Sequence, residues 1–108
     1  MVTEVKYEDF ENNIGKIVKI KGKVATAIWQ HLIIQADGYP YMNYIDLDEN
    51  YQIVVYSKSQ IVCENDLEMI GEVLKVKGGS KDPRSKIHDD IYYEFQFNAD
   101  SWKCFEQN

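Results

Sequence analysis

Flat rings and cations are the side chains in this sequence with chemistry to offer. Trp29, His31, Tyr39, Tyr41, Tyr44 and Tyr56 supply ring faces, while Lys81, Arg84 and Lys86 supply positive charge with His88 beside them. An aromatic side chain stacked on a nucleobase contributes about 1–3 kcal/mol. Lys and Arg pair with phosphate, and the planar guanidinium of Arg84 also stacks on rings. The set suits a ligand in which flat rings alternate with anionic groups. Other chemistry is poorly served. His31 and His88 have no second His or Cys at metal-ligand spacing. Asp46-Leu47-Asp48-Glu49-Asn50 begins like a calcium loop, but Tyr51 stands where the turn needs Gly and Ser57 where the loop needs Glu. No metal, no cofactor and no enzymatic activity is expected.

Charge is distributed unevenly. The net charge is −6, which disfavours a generally basic nucleic-acid binder. Yet Ile14 to Gln35 contains four Lys and no acid, and Lys75 to Lys86 contains five basic residues against Asp82 alone. Local charge sets where an anion docks, whereas the average chiefly sets solubility. A chain of 108 residues is expected to form one domain, 1–108, with 1–13 as a lead-in. No apolar run approaches the ~20 residues of a membrane helix. Met1-Val2-Thr3-Glu4 lacks the basic-then-apolar order of a secretion signal, so a cytoplasmic location without a membrane partner is the expectation. Cys63 and Cys104 are expected as reduced thiols in or near the core, with a disulfide left open by spacing alone.

The elements that must position these residues are strands. Ile20-Lys21-Gly22-Lys23-Val24 and Met69-Ile70-Gly71-Glu72-Val73 each place a Gly inside an alternating run. Such a Gly marks a bend or a bulge, and two of them suggest a small sheet curled into a closed barrel. Alternation predicts strands over 17–28, 41–47, 52–56, 67–77 and within 91–105. Tyr7 to Asn13 is expected as one helical turn, and long loops follow the first and fourth strands. No segment is long enough for a helical crossover, so pairing should be mainly antiparallel. The fold class expected is all-β, a five-stranded Greek-key barrel of the OB type with at most short helical turns. Lys19, Lys21 and Lys23 should pair across strands with Glu68 and Glu72.

Asn13 to Val24 resembles the opening strand of OB-fold nucleic-acid-binding domains. Tyr44-Ile45-Asp46-Leu47 with Gln52-Ile53-Val54-Val55-Tyr56, and then Met69 to Val73, resemble the second, third and fourth strands. The likeness is greatest to small archaeal members, including those similar to replication protein A. Ala27-Ile28-Trp29-Gln30-His31 and Asp100-Ser101-Trp102-Lys103-Cys104 add to it. Many members carry a helix between strands three and four that plugs one barrel end. Ser57 to Asp66 is too short and polar for that, and Val5 to Phe10 is expected to cover that end instead.

The resemblance implies a ligand face on the outside of strands two and three, flanked by the loops after strands one and four. Tyr44 and Tyr56 would lie on that face, Trp29, His31, Tyr39 and Tyr41 beside the first loop, and Lys81, Arg84 and Lys86 on the second. The leading expectation is non-catalytic binding of single-stranded DNA or RNA. The alternative is a protein-interaction domain acting as a subunit of a nucleic-acid-processing complex.

Overall fold

Apolar and polar residues alternate along the first strand, β1 (Ile17–Val24). Val18 and Ile20 are buried, and Lys19, Lys21 and Lys23 turn to the other side. The structure is a computed structural model, and it describes residues 2–27, 38–47, 51–79 and 91–105. Four further strands follow: β2 (Tyr41–Asp46), β3 (Gln52–Ser57), β4 (Leu67–Gly79) and β5 (Ile91–Cys104). Before them, Tyr7–Asn13 forms a 3-10 helix, started by the Lys6 amide donating to Asp9 Oδ2 at 3.1 Å. The strands therefore lie close to the expected spans. β1 stops at Val24 instead of reaching Ile28. Ala25 still donates its amide to the Tyr44 carbonyl, and the chain then bends at Thr26 and Ala27.

The five strands form one sheet, ordered β1-β2-β3-β5-β4, and β4 pairs back onto β1 to close the barrel. All pairs are antiparallel except β3 with β5. Closure forces backbones together at the two expected glycines. A Cβ on Gly22 would sit 2.6 Å from the Asp46 carbonyl oxygen, and one on Gly71 would collide with the Asn98 carbonyl. Opposite Gly71 the β4–β5 register slips, with Ile70 facing Ser101 and Gly71 facing Ala99. Asp100 is the extra residue of this β-bulge.

Two apolar plugs close the barrel. The first is Val5 with the fully buried Phe10. It sits where β3 begins, because Tyr7 stacks on Tyr51 and Phe10 meets Phe95 edge-on. The lead-in also pairs with β1, with the Lys19 amide donating to the Thr3 carbonyl and the Val5 amide to the Lys19 carbonyl. The expectation that Val5 to Phe10 covers the end between β3 and β4 is therefore corrected: it covers the opposite end. The segment 58–66 closes the β3–β4 end itself through Ile61 and Cys63, both buried in the core cluster.

The cysteines are also corrected. Cys63 and Cys104 form a disulfide with their Cα atoms 5.6 Å apart. The pairing of Leu67 with Cys104 brings the end of β5 beside the start of β4, within reach of the connection that carries Cys63. No helix among the described residues is long and apolar enough to cross a membrane.

Candidate binding surface

Ile53 and Val55 of β3 point into the barrel, so alternation turns Val54 and Tyr56 outward. That outer face is not open. Gln52, Val54 and Tyr56 are 6%, 0% and 3% exposed, which makes β3 a strand buried on both sides. Among the described residues, Ala27 reaches this face: its carbonyl accepts from Gln52 Nε2 at 2.8 Å, and the same nitrogen also donates to Asp46 Oδ1. Across the parallel pair, Gln96 of β5 is buried too and donates to Glu94 Oε2. Tyr56 thus faces outward as expected, but its ring is not available for stacking. Tyr44 on β2 is partly buried.

The exposed Tyr41 and the partly buried Tyr39 lie at the edge of this face, beyond the end of β3. Tyr41 pairs with Ser57, and Ser57 pairs with Ala99, so the start of β2 lies near the Asp100 bulge. The Tyr39 hydroxyl donates to Asp100 Oδ1 at 2.6 Å, and Lys58 Nζ lies 3.4 Å from the same oxygen. Lys58 Nζ also sits 5.5 Å from the centre of the Tyr39 ring. Hydrogen bonding to the Asp100 carboxylate is the main cause raising the Tyr39 pKa, followed by burial and the charges of Asp100 and Glu72. Beside this clasp, Tyr41 and Met42 are 44% and 39% exposed. Beneath them a polar chain fastens the strand ends. Asn43 Nδ2 donates to Ser57 Oγ, Ser57 Oγ to the Ser59 carbonyl, and Trp102 Nε1 to Ser59 Oγ.

The cations of the described surface are mostly committed. Lys19 pairs with Glu68 as expected, whereas Lys21 takes Glu4 and Lys23 takes Asp66, at 3.6, 3.2 and 3.6 Å. Glu4 reaches Lys21 because the lead-in runs beside β1, a placement that strand alternation alone does not show. Lys75 pairs with Glu11 at 2.9 Å and lies over the Tyr93 ring. Lys21 and Lys23 line an open groove of ≈ 690 Å³ with Gly22, Asp46, Leu47, Asp66 and Phe105, but their charges are already met at its rim. No group of three potential metal ligands occurs among the described residues.

Of the expected site residues, Tyr39 and Tyr41 meet at one surface, with Tyr44 on the same strand as Tyr41. Trp29, His31, Lys81, Arg84 and Lys86 lie outside the described residues. Met42, Lys58 and Asp100 belong to the surface and were not anticipated. A signal for Asp100 exists in the sequence: apolar positions run 93, 95, 97, 99 and then switch to 102 and 104. That change of phase requires one extra residue. Comparisons with family models, curated proteins and solved structures find no match to this chain.

Proposed function

We propose that the chain is an OB-fold working as a non-catalytic binding module, and that its ligand is a protein. The strand order, the parallel β3–β5 pair and the pairing of β1 with both β2 and β4 support the fold reading. The observation that carries the choice of ligand is the neutralisation of Lys19, Lys21, Lys23, Lys58 and Lys75, each within 4 Å of a carboxylate. A phosphate backbone would have to displace those carboxylates or rely on cations elsewhere in a chain of net charge −6. The burial of Tyr56 removes the central stacking platform as well. The rim that remains open, Tyr39, Tyr41 and Met42, has the composition of a protein interface core, where Tyr and Met are enriched. The Asp100–Lys58 clasp holds Tyr39 in place, so little side-chain freedom is lost on docking.

Titration of labelled oligo-dT and oligo-U at low salt tests this reading. The expected result is no change in anisotropy up to about 100 μM protein, at the weak end of non-specific binding. Binding that weakens with salt and drops in Tyr41→Ala and Arg84→Ala would overturn the protein reading in favour of single-stranded nucleic acid.

A further inference from the structure

The β3–β4 connection holds its barrel end with very little. Segment 58–66 has no helix or strand, and Ile61 and Cys63 are its only buried residues. Val62 between them is 70% exposed. Polar ties help: Lys58 with Asp100, Ser59 with Trp102 Nε1 and Ser57 Oγ, Lys23 with the Asp66 carboxylate, and the Phe105 amide with the Asp66 carbonyl at 2.9 Å. All of them lie toward the two ends of the segment, at residues 58, 59 and 66. Its middle depends on Ile61 and on the bond from Cys63 to Cys104. The rest of the barrel does not share that dependence, since β1, β4 and β5 are joined by long ladders and the opposite end is plugged by Val5 and Phe10.

We propose that the Cys63–Cys104 disulfide is a reducible latch on the barrel end. Its reductant is a dithiol. A thiolate of the dithiol attacks Cys104 Sγ, because Cys104 is partly exposed whereas Cys63 is buried. The S–S bond breaks, and Cys63 leaves as a thiolate and takes a proton. The second thiol of the reductant, deprotonated, then attacks the mixed disulfide and releases Cys104, which is protonated in turn. Two electrons and two protons pass to the protein, and the reductant departs as a disulfide. The freed Cys63 thiol already has an acceptor, since its sulfur lies 3.3 Å from the Asn65 carbonyl oxygen. Release of the latch lets the middle of 58–66 lift, uncovering Ile61, Leu67 and the ring of Trp102 while the ladders persist. This inference is independent of which ligand the protein takes.

Hydrogen exchange followed by mass spectrometry tests the latch on the full chain, oxidised and after treatment with dithiothreitol. Thiol alkylation of the oxidised protein should add no label. On reduction, amides of 60–66 should exchange at least about tenfold faster by a local opening insensitive to urea, while those of β1, β4 and β5 still exchange only through urea-sensitive global unfolding. The Cys63→Ser/Cys104→Ser variant should show the same local pattern without reductant. Free thiols in the air-oxidised protein, unchanged exchange over 60–66, or exchange over 60–66 that follows global unfolding together with the rest of the barrel would each overturn the proposal. The last outcome would make the bond a structural staple.

Discussion

The hydroxyl of Tyr39 donates to the Asp100 carboxylate at 2.6 Å, across 61 positions of sequence. Asp100 can accept because the bulge makes it the additional residue of β5, exposed on the outside. The irregularity in the ladder and the fastening of the chain before β2 are thus one feature.

This bond makes Tyr39 a late-titrating phenol. The neutral hydroxyl is the form that donates, so its pKa is raised, with the Asp100 hydrogen bond as first cause. The clasp therefore contributes fully below pH about 10, the unfolded tyrosine value, and fades as pH rises through the higher folded value. Beside Tyr7, whose pKa burial raises, ultraviolet titration should show a late-ionising component from Tyr39. Tyr39→Phe should delete that component, and Asp100→Asn should move it back towards the ordinary range. A titration unchanged in Asp100→Asn would show that the carboxylate does not hold the phenol.

Glycine replacements should rank by what a Cβ meets. Gly71→Ala drives a methyl into the Asn98 carbonyl, which belongs to a paired strand. Its cost should reach about 3 kcal/mol, the upper range for overpacking. Gly15 has open space but a φ of 78°, so Gly15→Ala should cost about 1–2 kcal/mol from the left-handed backbone alone. Urea melts of the two variants check the order, and a milder Gly71→Ala would mean that the barrel closes less tightly there.

Strands and their bends were legible because their signals are local. Val18 and Ile20 alternate with lysines, and Gly22 and Gly71 interrupt runs that otherwise suit a strand. The burial of Tyr56 was not legible. Alternation shows which face a residue takes but not whether another part of the chain meets that face, as Ala27 does at Gln52. The cysteine pairing, left open by spacing, was not legible for a related reason. Cys63 and Cys104 are 41 residues apart and meet only because β4 and β5 pair in a particular register. That bond also stands against the expected reducing, cytoplasmic setting, where lasting disulfides are rare. The Tyr39 and Tyr41 half of the candidate site was readable as rings near a turn. The bulge at Asp100 shows in the change of apolar phase after Ala99, but its contacts with Tyr39 and Lys58 are encoded by no sequence spacing.

The plug at the start of β3 should be a major source of stability. Phe10 is fully buried and meets Phe95 edge-on, with ring centres 5.8 Å apart. Removing its ring leaves a cavity that the closed barrel cannot collapse into, so Phe10→Ala should cost about 3–5 kcal/mol. Val62→Ala, at a position 70% exposed, should stay within about 0.5 kcal/mol. Chemical denaturation of both variants checks the contrast, and a small effect at Phe10 would mean that residues 1–13 are not part of the folded unit.

Reduction should also lower global stability, by a route separate from the local opening. The disulfide constrains a loop with a sequence separation of 41 in the unfolded chain. On the loop-closure model such a constraint is worth about 4 kcal/mol. The midpoint of urea unfolding should therefore fall when the melt is repeated with a reductant, and Cys63→Ser/Cys104→Ser should melt at the reduced midpoint in either condition. Because the constraint acts on the unfolded state, most of the loss should appear even if the folded barrel keeps its ladders. An equal midpoint with and without reductant, in protein shown by alkylation to be oxidised at the start, would mean that strain in the native bond offsets the entropy it removes.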